Sequence, residues 1–258
     1  METYGWEWFI SKFEGLSKID LTAYKRPQME RRINSFMRSA NAASYQEFIN
    51  LLNKDQKVYK KFLEHITINV SEFFRNLSHW QVMEKEIIPI LLQERRSLKI
   101  WSAGCSTGEE PYSLAMMAKE NGWKIAEPIF ATDIDQDVLN KAMRGLYNER
   151  AMEGVPNAIR NKFFNSHPEG YEIKEEIRKM VNFRQHNLLG DNFPTNFDLI
   201  LCRNVVIYFT EETKENLYRK FTDALRSKGI LFIGSTEQIF HAKEIGLKSV
   251  ATFFYQKE

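Results

Sequence analysis

Four short apolar runs in the second half of the chain each end in glycine or polar residues. They read "LKIWSAG", "PIFATDID", "FDLILCRN" and "GILFIGS", and mostly helical stretches separate them. Runs that are apolar on both faces are typical of buried parallel strands, which need crossover connections between them. The sequence therefore predicts an α/β domain with an open parallel sheet over residues 98–258.

The first 75 or so residues are helical in period and contain no strand-like alternation. Met29, Ile33 and Met37 fall on one helical face, together with a phenylalanine, and this face is expected to be core. Ser44 and Glu47 form a capping-box signature at the start of a further helix. This pattern predicts a small all-α domain ahead of the sheet.

The two parts are joined by "SHWQVMEKEIIPILLQERR", a helical pattern in which Pro89 is expected to cause a kink. We place the all-α domain at residues 1–76 and the connecting helix at residues 77–97. Between residues 151 and 189 the spacing is too long for a single crossover, and "YEIKEEI" and "VNFRQHNL" alternate like an antiparallel hairpin. We therefore expect a small β insertion at about residues 165–188.

Composition narrows the class of protein. No apolar run approaches the roughly 20 residues of a membrane span, and the acidic start is a poor secretory signal, so we expect a cytoplasmic protein without membrane insertion. Cys105 and Cys202 are too few for a disulfide framework and lack a metal-ligand cluster, so we expect two small buried residues and no metal site. The net charge is only +2, so an acidic partner must be met by a local patch.

The stretch "WSAGCSTGEEPYSLA" reads as a glycine loop between a strand and a helix. Gly104 and Gly108 would let a ligand approach the backbone beyond the carboxyl end of the first strand. The loop lacks the lysine of a triphosphate site and the full glycine spacing of a dinucleotide site. Glu109 and Glu110 would repel a pyrophosphate but suit a ligand with an amino group and a sulfonium, which points to S-adenosylmethionine.

Two acids of this region, Glu109 and Asp133, have structural alternatives. Glu109 can cap its own helix in a box with Ser106, and we favour that role, which leaves Glu110 as the ligand candidate. Asp133 ends the second strand, where an acid commonly accepts hydrogen bonds from ribose hydroxyls. It could instead cap the next helix, a role that Asp135 can fill equally well.

Four segments, "ITINVSEFFRN", "WSAGCSTGEEPYS", "ATDID" and "CRNVVIYF", together resemble the CheR-type chemotaxis receptor glutamate O-methyltransferases. The resemblance covers nearly the whole chain, with the motifs in the family order. It implies a Rossmann-like class I methyltransferase sheet with a small antiparallel β insertion, preceded by a small all-α domain. It also implies methyl transfer from S-adenosylmethionine to glutamate side chains of methyl-accepting chemotaxis receptors, which yields glutamyl methyl esters and S-adenosylhomocysteine and serves sensory adaptation.

The resemblance also assigns residue roles. It places Arg75 beside the methyl donor, and the alternative for Arg75 is an ion pair at a helix end. It also implies that Tyr208 orients the acceptor carboxylate, and the alternative for Tyr208 is simple packing. A glutamate is already ionised at pH 7, so alignment is needed rather than a general base, and a guanidinium pairs well with a carboxylate. Besides Arg75, the residues that the resemblance places against the cofactor are Asn69, Ser71, Asn187, Leu188, Asn204 and Val205.

Positive charge is concentrated in the all-α domain, with nine basic and three acidic residues between Leu21 and Leu63. The resemblance implies that this surface meets the acidic cytoplasmic helices of chemoreceptors, an encounter that complementary charge would steer. The alternatives are that this basic face is simply solvated or that it binds nucleic acid. We expect no nucleic-acid partner. We expect a monomer. The residues proposed for receptor binding are Lys25, Arg26, Arg31, Arg32 and Arg38.

Two other functions fit parts of the pattern. A methyltransferase for RNA or a small molecule would keep Gly104, Gly108 and Asp133 but use other acceptor residues. "CRNVVIYF" lacks the prolines found at this position in enzymes that methylate exocyclic base nitrogens, which disfavours base methylation. A non-catalytic module would bind cofactor or receptor without transfer, and Arg75 and Tyr208 argue against it.

Overall fold

The computed structural model describes residues 4–67 and 69–258, which separate into two compact units. The first unit extends to Asn69 and includes Tyr208–Asn216, and the second comprises Val70–Ile207 and Leu217–Glu258. Among the described residues, every helix is too short or too polar to cross a membrane.

The first unit is helical, as predicted. The predicted N-cap at Ser44 is confirmed, because the Glu47 N–H donates to Ser44 Oγ at 3.2 Å. The Glu47 carboxylate accepts the N–H of Ala43, one residue before the N-cap, at 2.9 Å. The helices of this unit are α1 Trp6–Ser17, α2 Arg26–Ser39, α3 Tyr45–Lys54 and α4 Gln56–Ile66.

An aromatic core holds these helices together. Phe48 and Phe62 are fully buried and meet edge to face, with ring centroids 4.8 Å apart. The predicted apolar face of α2 is buried with them through Met29, Ile33 and Met37. Burial of side chains this size contributes about 1.5–3 kcal/mol each, so packing rather than helix propensity stabilises the unit.

The segment Tyr208–Asn216 belongs to this unit through backbone contacts. The Lys25 N–H donates to the Tyr208 carbonyl at 3.0 Å, and the Thr210 N–H donates to the Ala23 carbonyl at 2.9 Å. These bonds fasten the segment to the start of α2.

The second unit is built on a sheet of seven strands in the order β6-β2-β1-β7-β8-β10-β9. The four predicted runs are β1, β2, β7 and β8, and they pair in parallel. The carboxyl-terminal strand β10 pairs antiparallel with β8 and with β9, which completes a mixed sheet. The strands of this sheet are β1 Ile100–Ala103, β2 Ile129–Asp133, β6 Val181–Gln185, β7 Phe197–Cys202, β8 Leu225–Ile233, β9 Leu247–Ala251 and β10 Phe254–Lys257.

Helices connect these strands. The linking segment is α5, a π-helical turn over Met83–Ile87, and α6. Pro89 lies in the first turn of α6 and has no N–H to donate back along the helix, which accounts for the irregular turn just before it. The helices are α5 Leu77–Val82, α6 Ile88–Glu94, α7 Glu109–Asn121, α8 Gln136–Arg144, α9 Asn157–Phe163, α10 Glu175–Arg178 and α11 Glu211–Ala224, whose residues up to Asn216 count with the first unit.

The small antiparallel sheet is confirmed, but one of its predicted strands is wrong. Its order is β3-β5-β4, formed by Leu146–Tyr147, Gly170–Ile173 and Phe164–His167. The predicted partner "VNFRQ" is instead β6, which pairs in parallel with β2 at the edge of the large sheet. An edge strand alternates in burial as a hairpin strand does, so the pattern did not distinguish the two.

Candidate active site

The ends of three neighbouring strands bring several predicted residues to one edge of the second unit. Gly104 follows β1, Asp133 ends β2, and Asn204 follows β7. The parallel registers Ala103↔Thr132 and Ser102↔Leu201 place these ends side by side. Such an edge is where open α/β sheets bind ligands.

Asp133 faces the glycine loop. One carboxylate oxygen accepts the Ser106 N–H at 2.8 Å and the other accepts the Asp135 N–H at 3.1 Å. Burial raises the pKa of Asp133, and these backbone hydrogen bonds oppose that rise. Asp135 caps α8 by accepting the N–H groups of Asp137 and Val138, so capping does not require Asp133.

The predicted capping box of Ser106 and Glu109 is wrong. The N-cap of α7 is Gly108, with φ +94°, which leaves Ser106 two residues ahead of the cap position. Glu109 is buried, and its two carboxylate oxygens accept the Thr107 hydroxyl at 2.8 and 2.7 Å. Burial raises the pKa of Glu109, which these bonds partly offset.

Glu110 lies in the first turn of α7 and is already paired. Ser102 Oγ donates to Oε1 at 2.8 Å, and Arg203 Nη1 donates to Oε2 at 3.2 Å. Arg203 also donates to the Arg75 carbonyl at 2.8 Å. Sequence reasoning missed this arginine, although it stands inside the quoted "CRNVVIYF" segment.

The loop of Arg75 is anchored by its neighbours. The Phe74 N–H donates to Ser113 Oγ at 3.0 Å, and Trp80 Nε1 donates to the Arg75 carbonyl at 3.0 Å. The half-buried Arg75 side chain donates to the Val70 carbonyl at 3.3 Å and forms no ion pair with any residue that the structure describes. The helix-end ion pair considered as its alternative role is therefore not formed among those residues.

Gly104 and Gly108 are required by the packing of the loop. A Cβ on Gly104, at φ +77°, would lie 2.4 Å from Val205 Cγ2. A Cβ on Gly108 would lie 2.9 Å from the Ala142 Cβ. Contacts within the protein therefore require glycine at both positions, whether or not a ligand also approaches the loop.

Asn187 forms a turn at the end of β6. Its amide oxygen accepts the Leu189 N–H at 3.0 Å, and its own N–H donates to Asp191 Oδ2 at 2.8 Å. The carbonyl of buried Leu188 accepts Lys220 Nζ at 2.7 Å. Because the His186 N–H donates to the Asp133 carbonyl at 2.9 Å, this turn adjoins the end of β2.

Tyr208 and Asn69 belong to the first unit. Tyr208 is half-buried near Arg32, whose pKa is lowered by burial and raised to a lesser extent by the tyrosine. Asn69 Nδ2 donates to Thr67 Oγ1 at 3.1 Å. The structure thus groups the predicted catalytic tyrosine with one of the predicted receptor-binding arginines.

The other predicted receptor-binding residues divide into two groups. Lys25 lies 3.8 Å from Glu211, and Arg26 pairs with Glu7 at 3.0 Å as well as with a glutamate one turn along its helix. Arg31 and Arg38 are exposed on α2.

Cys105 and Cys202 are buried free thiols, as predicted. Burial raises the pKa of both well above the ordinary value, so the thiolate that a nucleophile needs is disfavoured. Neither is suited to carry a covalent intermediate.

The fold and the sheet edge together define an α/β protein with a candidate site for an adenosine cofactor at its strand ends. An acid ends the second strand, a glycine loop follows the first, and the buried Ser106 hydroxyl has no hydrogen-bond partner among residues 4–67 and 69–258. These polar groups at a strand-end edge fit a cofactor that carries ribose and amino groups.

Comparison with known proteins narrows the class to a family. Residues 5–67 match the family model described as CheR methyltransferase, all-alpha domain, and residues 69–253 match CheR methyltransferase, SAM binding domain. The chain belongs to the CheR methyltransferase family. The predicted family, fold class and cofactor, S-adenosylmethionine, are confirmed.

Relatives cover most of the chain. A chemotaxis protein methyltransferase of Listeria innocua is 46% identical over 93% of this chain and 92% of its own length. A protein with the same description from Borreliella burgdorferi is 36% identical over 91% of this chain and 88% of its own length. One from Escherichia coli is 32% identical over 86% of this chain and 80% of its own length.

Proposed function

We propose that this protein transfers methyl groups from S-adenosylmethionine to glutamate side chains on the cytoplasmic helices of chemoreceptors, and so forms glutamyl methyl esters in sensory adaptation. The observation that carries the proposal is Arg75, a cation without an ion pair among the described residues, in a chain of the CheR family. A carboxylate substrate is the natural partner for such a guanidinium.

The proposed reaction requires little proton transfer by the protein. When bound, S-adenosylmethionine supplies a methyl group activated by its sulfonium. The acceptor glutamate is ionised near pH 7, so its carboxylate could accept the methyl group without losing a proton, and the protein would need to supply alignment rather than a general base. Arg75 would align the acceptor carboxylate, and Tyr208 would orient it through its hydroxyl.

For the cofactor, we propose that Asp133 accepts hydrogen bonds from the ribose. Glu110 would attract the amino group of the cofactor, while its ion pair with Arg203 balances part of its negative charge. Arg75 would also lie against the cofactor. The other residues proposed to contact the cofactor are Asn69, Ser71, Gly104, Gly108, Asn187, Leu188, Asn204 and Val205.

For the receptor, we propose that the exposed Arg31 and Arg38 contribute most to the encounter with acidic helices. Lys25, Arg26 and Arg32 would contribute less, because each already contacts groups within the first unit. We also propose that the protein acts in the cytoplasm as a monomer.

The test is to incubate the protein with methyl-labelled S-adenosylmethionine and receptor-containing membranes, and in parallel with total RNA. We expect label in receptors, none in RNA, and a loss of transfer in Arg75→Ala that is much larger than its loss of cofactor affinity. Labelled RNA would favour the nucleic-acid methyltransferase. Cofactor binding without transfer to any acceptor would favour the non-catalytic module.

A further inference from the structure

Arg75 lies in a strained stretch of backbone. The residues on either side of it have left-handed conformations, with φ +53° at Phe74 and φ +60° at Asn76. An asparagine tolerates this conformation, but a residue as bulky as phenylalanine adopts it only where its surroundings hold it there. The position of Arg75 therefore depends on the groups that bond to residues 74–76, which we call the Arg75 loop.

The hydroxyl of Ser113 fastens the amino-terminal side of the Arg75 loop. Ser113 is fully buried in α7, and its Oγ accepts the Phe74 N–H at 3.0 Å while it donates to the Glu109 carbonyl at 2.7 Å. Because its one proton is directed at Glu109, the hydroxyl presents a lone pair to Phe74. The helix that follows the glycine loop thus holds the strained residue directly.

Two buried side chains fasten the other side of the Arg75 loop. The Arg75 carbonyl accepts Arg203 Nη2 at 2.8 Å and Trp80 Nε1 at 3.0 Å. The same Arg203 nitrogen donates to Asn76 Oδ1 at 3.4 Å. The Arg203 guanidinium also lies over the Trp80 ring, 5.6 Å from its centroid. Two donors on one carbonyl oxygen fix the peptide plane that follows Arg75.

The side chain of Arg75 is held much less firmly than its backbone. Its guanidinium donates to the Val70 carbonyl at 3.3 Å and forms no ion pair with any residue of the described ranges. A fixed backbone below a guanidinium with donors to spare suits a residue that aligns a substrate group.

We propose that Ser113 and Arg203 are positioning residues that hold the Arg75 loop in its strained conformation and so place the guanidinium of Arg75 for transfer. The inference rests on the proposed role of Arg75 toward the acceptor carboxylate. Both residues act through the backbone of the loop, and the inference assigns neither a contact with the reacting atoms. Without their bonds the loop would relax, and a misplacement of about 1 Å in an aligning group costs on the order of a hundredfold in rate.

The first test is Ser113→Ala, which removes the hydroxyl and leaves the rest of the side chain. We expect kcat/KM for receptor-containing membranes to fall about threefold to tenfold, which corresponds to the loss of one hydrogen bond. The Kd for S-adenosylmethionine, measured by calorimetric titration, should change less than about twofold. Amide hydrogen exchange at Phe74 should become faster, because the acceptor of its N–H is gone.

Arg203→Lys tests the other side of the loop. Lysine keeps a positive charge near Glu110, but its single nitrogen cannot reproduce bonds that leave from two separate nitrogens. We expect kcat/KM for receptor to fall about tenfold or more, with a smaller rise in Kd for S-adenosylmethionine. A larger effect on cofactor affinity than on transfer would show that Arg203 serves the cofactor edge alone, and it would overturn its assigned role in the loop.

Thr222→Val is the matched control for Ser113→Ala. Thr222 is also buried in a helix, α11, and its Oγ1 donates to the Tyr218 carbonyl at 2.8 Å. Valine keeps the shape and loses the hydroxyl, so stability should fall comparably while transfer and the exchange of Phe74 stay unchanged. An equal fall in transfer in this control would mean that general loosening explains the effect, and it would overturn the inference.

A double variant tests whether Ser113 acts through Arg75. In an Arg75→Ala background, Ser113→Ala should lower the residual transfer much less than it does in the wild-type protein. The same fold-reduction in both backgrounds would show that Ser113 acts independently of Arg75, which contradicts the inference.

Arg75→Ala alone separates this inference from the proposed function. If Arg75→Ala loses transfer while Ser113→Ala and Arg203→Lys retain it with unchanged exchange at Phe74, the inference is wrong and the proposed function stands. If Arg75→Ala retains transfer, the proposed role of Arg75 fails, and the inference fails with it.

Discussion

Arg203 and Glu110 form an ion pair inside the second unit, with Nη1 3.2 Å from Oε2 and side chains 2% and 13% exposed. The pair joins the turn after β7 to the start of α7. Since Arg203 also holds the Arg75 carbonyl, one buried guanidinium organises both the loop of the proposed catalytic arginine and the proposed cofactor edge.

Removing one partner should leave the other buried and unpaired. We expect Glu110→Ala to lower the free energy of unfolding by about 3–5 kcal/mol, measured by urea denaturation. The control is Glu176→Ala, which breaks a half-exposed pair with Lys119 and should cost less than about 1 kcal/mol. Equal losses of unfolding free energy in the two variants would contradict the burial of the Arg203–Glu110 pair.

Gly104 in the loop and Gly122 at the end of α7 both have a left-handed backbone, and comparing them tests the close packing of the loop. Gly122→Ala introduces a Cβ with nothing within 4 Å, so it should cost only the strain of φ +67°, about 1 kcal/mol. Gly104→Ala adds the collision with Val205, so it should cost more and also weaken S-adenosylmethionine binding. Thermal unfolding would measure the stability of each variant, and calorimetric titration would measure its affinity for S-adenosylmethionine. Similar losses of stability in the two variants would show that the surrounding atoms move to relieve the collision with Val205.

Glu109 should make stability depend on pH. Its folded pKa is raised above the ordinary value of 4.5, so in the window from 4.5 upward the folded state holds a proton that the unfolded state releases. Stability from this group therefore falls as the pH rises through that window. We expect the unfolding free energy of Glu109→Gln relative to wild type to increase as the pH rises above 4.5. A constant difference would contradict the raised pKa.

Asp133 and its neighbour Asp135 should separate binding from capping. We expect Asp133→Ala to weaken S-adenosylmethionine binding by about tenfold to a hundredfold, since a charged acceptor of ligand hydrogen bonds is lost. Asp135→Ala removes the α8 cap and should cost about 1 kcal/mol of stability with cofactor affinity kept. Calorimetric titration of both would show the difference; an intact affinity in Asp133→Ala would disprove the ribose role.

The parallel core of the fold was predictable because its strands are buried on both faces and read as unbroken apolar runs. β6 was misassigned because an edge strand alternates, and β9 and β10 were not predicted because they complete the sheet through antiparallel pairing of non-neighbouring segments. The boundaries proposed for the domains stay a prediction.

The position of Asp133 at the sheet edge was predictable because the residue directly ends an apolar run in the sequence. Its role toward the cofactor stays a prediction. Arg203 was missed because its importance comes from a partner far along the chain, at Glu110. The capping role of Glu109 failed because the left-handed turn at Gly108 moved the helix start beyond Ser106. Such errors arise from tertiary geometry that local spacing does not contain.

The most direct test of the proposed reaction is the chemical stability of the transferred methyl group. Receptors labelled by this protein from S-adenosylmethionine would be treated with mild base and the volatile product collected. We predict that the label leaves as methanol, which is the behaviour of a carboxyl methyl ester. Label that stays on the receptor would show methylation of an amine or amide and would contradict the proposed glutamate ester.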